Sequence, residues 1–280
     1  MPARKLIPAH KRRMNQLIGK TRRFFNTRQY YARGHIFLDK VVLAHISKSL
    51  SVAQGVMCLI DAGLAEEAFG LSRTMVEIAL NLRFITNRYS ERRAKRFVHY
   101  FARWKMELIR RTLKHYNASA KEQGVTVTYT KPQLRKMMKD YKQLLKIARK
   151  YPNRTSWTET KNKKASKGGV WRMAMEPDRY ETLQGAPFKW EFDYDWIYFW
   201  TSQYVHVSAI ALDSHVVLPL EPFEMNPAPC RGKHTAALAV FNVGIYLHKI
   251  LFIGFRAIGH EYPETLHEPL GKLLHEMAKA

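Results

Sequence analysis

Two short patterns hold the side chains of this sequence best suited to chemistry. Arg73 and Glu77 stand four residues apart in Leu-Ser-Arg-Thr-Met-Val-Glu, one helical turn, close enough for an ion pair. Tyr194, Tyr198, Ser202 and His206 recur every four residues and share one slowly drifting stripe of a helix. Ser202 and His206 have the hydroxyl and the imidazole of a nucleophile and its base. A serine hydrolase also needs an orienting acid and free backbone N–H groups to hold an oxyanion, and a helix interior has none to offer. The spacing instead predicts a buried polar cluster of Arg73, Glu77, Ser202 and His206, because polar groups taken out of water must be partnered. As structure, that cluster is a clamp between helices. As chemistry, it supplies a general acid or base in His206, an orienting carboxylate in Glu77 and an anion-binding guanidinium in Arg73, the parts of a metal-independent ribonuclease.

Metal and nucleotide chemistry find less. His260-Glu261, His267-Glu268 and His275-Glu276 are spaced seven or eight residues apart. That is about 10 to 12 Å along a helix, too far to share one ion. There is no Walker loop and no Gly-x-Gly-x-x-Gly, and Gly168-Gly169 reads as a loop. The expectation is a site with no metal and no cofactor.

Helices must hold these residues. From Ser47 to Arg88 two apolar-periodic segments meet at Asp61-Ala62-Gly63, a helical hairpin. In its second helix Leu71, Met75, Ile78, Leu82 and Ile85 form one stripe, while Phe69, Leu80 and Phe84 line the opposite side, so this helix should be central and covered all round. Ile36 to Leu50 predicts a core helix before it. A further helix from Ser90 to Leu113 has Phe97, Phe101, Trp104 and Leu108 as its expected buried stripe. Val125 to Tyr129 alternates like a short strand or an extended loop, and Lys131-Pro132 restarts a helix to about Lys150. Helix returns from Asp193 to about Leu212, with the carboxylates near its N-terminus. Pro219, Pro222, Pro227 and Pro229 then force an extended connector, before a long apolar helix from Thr235 to Ile258 and a short terminal one. The sum is an all-α bundle of about seven or eight helices.

The Arg73-x-x-x-Glu77 helix early and Tyr198-x-x-x-Ser202-x-x-x-His206 late resemble an all-helical bacterial family known as a domain of unknown function, DUF5677-like, over roughly Val41 to Leu212. The resemblance implies a helical bundle and carries no activity with it. A second comparison is with the HEPN ribonucleases, whose hallmark is an Arg followed by four to six residues and a His. Arg93 with His99 has that spacing, as do Arg4 with His10, Arg28 with His35 and Arg110 with His115, which is what chance gives in so arginine-rich a chain. No arginine stands at that distance from His206, and Arg73 would have to serve from another helix.

Charge points to a partner. The 280 residues carry 47 Lys and Arg against 23 Asp and Glu, a formal net charge of +24, and such a field attracts polyanions, nucleic acid before anionic membrane. Residues 1 to 33 read as a basic arm, with ten Lys or Arg, no acid, and Phe24, Phe25, Tyr30 and Tyr31 interleaved; Arg12, Arg13, Arg22 and Arg23 are its candidate phosphate contacts. The helix from Lys131 has an outer face that includes Lys136 and Lys139. The long segment after Pro152 places Lys163 and Lys164 among Trp157 and Trp171, a pattern that suits backbone tracking with base stacking. The expected organisation is an arm over 1–33 and a helical domain over 34–280, with its family-like core at 41–212 and a basic insertion at 117–190. Two cysteines, Cys58 and Cys230, make neither a disulfide framework nor a zinc site, and no signal peptide opens the chain, so a reducing cytoplasmic setting is expected. The apolar helix near the end carries Asn242, His248 and Lys249, which makes it a core helix rather than an integral membrane segment. The leading expectation is nucleic-acid binding, RNA foremost, and a homo-oligomer is compatible with it. The rivals are the ribonuclease, in a defence or toxin role, and a scaffold for an acidic protein or anionic membrane.

Overall fold

The computed structural model describes residues 3–26, 36–88, 90–122, 130–148, 173–174, 190, 193–198, 201–202, 216–217, 224–225 and 233–279. Among them are seven α-helices: α1 (Ala3–Asn26), α2 (Ile36–Asp61), α3 (Ala65–Asn87), α4 (Ser90–Glu122), α5 (Lys131–Ala148), α6 (Lys233–Ala257) and α7 (Glu264–Ala278). A π-helical turn spans Asp193–Tyr198, and β1 (Val216–Val217) pairs antiparallel with β2 (Glu224–Met225), Val216 opposite Met225. The fold is all-α. The alternating stretch at Val125 to Tyr129 lies outside the described residues.

The chain forms two compact units, one of residues 1–88 with 170–280 and one of residues 89–169. In the first, α2, α3 and α6 pack on one another, with α1 and α7 laid against α6. The hairpin turn falls where the sequence puts it. Gly63 takes φ +78°, its N–H donates to the Ile60 carbonyl and that of Leu64 to the Leu59 carbonyl, so the last carbonyls of α2 are satisfied through a residue without a Cβ. α3 is the central helix: Met75, Ile78, Leu82 and Ile85 are buried on one side, Phe69, Leu80 and Phe84 on the other. α2 is a single helix that contains both the expected first core helix and the first arm of the hairpin.

Asn242 of α6 donates to the Ser72 hydroxyl at 3.4 Å, and Ser72 donates to the Phe69 carbonyl at 2.6 Å, so α3 and α6 are joined by one buried relay. α2 and α6 are each long and apolar enough to cross a membrane by length and composition, and 56% of each apolar window is buried inside the protein. The stretch expected to be an arm is mostly a helix with one packed face. Met14, Leu17 and Ile18 of α1 are buried, and Phe24 and Phe25 meet Phe255 of α6 at ring distances of 5.4 and 5.3 Å.

The second unit is built on α4 and α5, which pack together. Thr130 caps α5 reciprocally with Gln133: the Gln133 N–H faces the Thr130 hydroxyl at 3.4 Å, and the Thr130 N–H donates to the Gln133 side chain at 2.7 Å. Here one expectation is corrected. Phe101, Trp104 and Leu108 are not a buried stripe: they are 53%, 54% and 47% exposed, and among the described side chains of α4 the buried ones are Ala94, Ala102 and Ile109. Helical periodicity shows that a face is apolar but not that anything covers it, and on α4 the covered face is the one that holds Ala94, Ala102 and Ile109. Met138 of α5 is 42% exposed as well.

Candidate functional site

In the first unit the polar cluster forms around Arg73. Its Nε donates to Glu77 Oε1 at 3.0 Å, the ion pair implied by their spacing, and one terminal nitrogen donates to the Tyr198 hydroxyl at 2.5 Å. The guanidinium carbon lies 4.4 Å from the centre of the Tyr198 ring, so the cation is held by a carboxylate, a phenol and a π-face together. Tyr198 is presented by the π-helical turn, where Tyr194 stacks on it at 5.1 Å with the rings 13° apart. The region expected to resume as α-helix thus opens as a wider turn, a local distortion that recurs at functional sites.

The protonation states follow from burial. Removal from water, and next the Glu77 charge, push the Tyr198 phenol above its ordinary value, with Arg73 acting the other way; it is a neutral hydroxyl at pH 7. The Ser202 hydroxyl donates to the Tyr198 carbonyl at 2.5 Å. Thr201 likewise donates to the Ile197 carbonyl at 2.7 Å. A serine whose proton is spent on a helix carbonyl is positioned as a lock rather than as a nucleophile. His206 lies outside the described residues. The spacing argument brought Arg73 and Glu77 together but missed that Tyr198, 125 residues away in sequence, is the partner of Arg73.

The candidate nucleic-acid contacts divide between the units. On α1, Arg12, Arg22 and Arg23 are exposed, while Arg13 is also exposed but pairs with Glu276 of α7, and Lys11 with Asp61 at the end of α2. Lys11, Arg12, Lys20 and Arg23 line an open basin of about 900 Å³ together with Asn15 and Gln16. On α5, Lys136 and Lys139 are exposed beside Lys131, Arg135, Lys142 and Lys146. Trp157, Lys163, Lys164 and Trp171 lie outside the described residues. The charge is unevenly shared: residues 89–169 hold 23 Lys and Arg against 5 Asp and Glu, a surplus of 18 out of the whole chain's +24.

Among the described residues no three His, Cys, Asp or Glu side chains gather closely enough to hold a metal ion. The terminal histidine–glutamate pairs have other company. Glu268 pairs with Lys272 at 2.7 Å, and the His267 ring sits 5.1 Å from His248 and 5.3 Å from Tyr262.

Fold and cluster define an all-α helical protein with an arginine-centred polar lock in one unit and a concentrated positive charge in the other. The chain belongs to a family of unknown function, DUF5677, whose model matches residues 39–222. No curated protein and no solved structure matches it. The matched span contains α3, the π-helical turn and all of the basic second unit; α1, α6 and α7 lie outside it.

Proposed function

We propose that this protein binds nucleic acid, RNA foremost, through its basic second unit, with the outer face of α1 as a further contact surface. The observation that carries the reading is the surplus of 18 positive charges in 81 residues, with the lysines of α5 presented to solvent. Such a density exceeds what solubility asks of a domain and matches a ligand bearing one charge per nucleotide. Binding is favoured over cleavage because the described members of the polar cluster are engaged with one another: Arg73 with Glu77 and Tyr198, and Ser202 with a carbonyl.

The test is anisotropy of a labelled RNA 20-mer titrated with the full chain at several salt concentrations, without added metal, with the RNA length checked on a gel. Binding should weaken linearly on a log–log plot, with a slope of about −0.7 per phosphate neutralised, and the RNA should stay intact. Absent or salt-insensitive binding would overturn the reading. Cleavage that His206→Ala abolishes would replace it with the ribonuclease.

A further inference from the structure

We propose that Phe101 and Trp104 of α4 form a stacking platform for unpaired bases, so that the ligand of the second unit is single-stranded nucleic acid. The inference rests on the nucleic-acid reading above and adds a ligand class to it.

The two rings lie 6.2 Å apart between centroids and 25° from parallel, and each is more than half exposed. Leu108, 47% exposed, continues the stripe one turn on, since positions 101, 104 and 108 share a helix face. Single apolar residues on a surface are ordinary, but three in a row with two aromatics among them are a contiguous patch. What this patch faces is set by its surroundings. Exposed Lys105 stands one turn beyond Phe101, and Arg111 one turn beyond Leu108, where Glu107 holds the Arg111 and Arg110 guanidinia at 2.9 and 2.7 Å. Glu107 is one of only five acids in the unit. An apolar partner surface or a lipid tail would have no use for this density of cations around the rings, whereas a polynucleotide uses both: phosphates on Lys and Arg, bases on the aromatic faces.

Single strands are selected over duplex by access. In a helix the base faces are occupied by their neighbours, so a duplex reaches the unit through its phosphates alone. A single strand can unstack a base onto Trp104 or Phe101.

The experiment compares a single-stranded RNA 20-mer with the same sequence as a duplex, on the wild-type chain and on Phe101→Ala, Trp104→Ala and Trp104→Phe. Because the side chains are exposed, the variants should keep the wild-type circular dichroism and melting temperature. The alanine variants should each lose about ten-fold in single-strand affinity, the usual worth of one stacked base, and leave duplex affinity within two-fold; Trp104→Phe should retain most of the affinity. Equal losses on single strand and duplex, or none on either, would overturn the platform while leaving salt-sensitive binding intact. A change in self-association or in binding to anionic vesicles, with RNA affinity unmoved, would give the stripe to a second copy or a membrane and overturn it too. No binding of either RNA by the wild type would instead sink the nucleic-acid reading beneath it.

Discussion

At the scale of residues, the Arg73 lock makes a sharp prediction about what each partner contributes. Arg73 is only 17% exposed on its side chain, and its bond to Tyr198 is charge-assisted. Tyr198→Phe removes one acceptor from a cation that Glu77 and the ring still hold, so we expect a loss of about 1–2 kcal/mol in urea unfolding; Arg73→Ala, which strands both Glu77 and Tyr198, should cost more. Arg73→Lys should fall between them, because an ammonium cannot meet carboxylate and phenol with a planar fork. His45 gives the pH prediction. It is buried, with Nδ1 2.7 Å from the Val41 carbonyl, and burial lowers its pKa below the ordinary 6.5, the backbone bond acting the other way. The unfolded chain then binds a proton that the native one refuses. Stability should be complete above pH 6.5 and fall as the pH drops below it. His45→Asn, which can keep a donor without titrating in that range, should flatten the slope by up to one proton between pH 6.5 and 5 in denaturant midpoints. At this scale the ion pair of Arg73 and Glu77 was legible, because four residues on a helix are neighbours by geometry alone. The Arg73–Tyr198 bond was not, because it depends on how α3 meets a turn more than a hundred residues later. Nor does any local rule announce that the turn is π-helical.

Among elements, α2 packs against α6 at a glycine. A Cβ on Gly254 would lie 2.9 Å from Ile46 Cδ1 and 3.3 Å from Val42 Cγ1. Gly254→Ala gains about 1 kcal/mol of helix propensity and sets it against an overpacking cost of about 1–3 kcal/mol, so the net should be a loss of about 1 kcal/mol. In an Ile46→Val background the nearest methyl is gone, and the same substitution should become neutral or stabilising. A double-mutant cycle on thermal or urea unfolding measures that coupling, and additivity within about 0.5 kcal/mol would show that Ile46 is not what excludes the methyl. The order and type of α2 to α7 were readable from periodicity and punctuation: the break at Asp61-Ala62-Gly63 ends α2, Lys131-Pro132 opens α5, and the two apolar sides of α3 announce a central helix. The covering of a face was not readable. α4 has the same apolar spacing as a core helix, yet its Phe101 and Trp104 stand in solvent, and the difference lies in which other helices reach it.

For the molecule as a whole, the decisive property is where the charge sits. Spread evenly, +24 over 280 residues would be a diffuse field; with 18 of it in residues 89–169, the field is concentrated on one unit. The composition shows the surplus, and the linear sequence contains its location, but the grouping becomes meaningful only once α4 and α5 are seen to pack as a unit of their own. Neutralising exposed lysines of α5 should therefore act on the slope of the salt dependence and not only on affinity. Lys136→Gln, Lys139→Gln and Lys142→Gln together remove at most three phosphate contacts, so the log–log slope for a single-stranded RNA should become shallower by about 2, at about 0.7 per contact. The loss should be similar for RNAs of unrelated sequence, because phosphates carry no sequence information. The matched control is Arg12→Gln, Lys20→Gln and Arg22→Gln on α1: if its effect on the slope equals that of the α5 triple, the ligand spans both units; if it leaves the slope unmoved while the α5 triple flattens it, binding belongs to the second unit alone. A slope unchanged by the α5 substitutions would show that the densest charge in the chain is not where the nucleic acid lies.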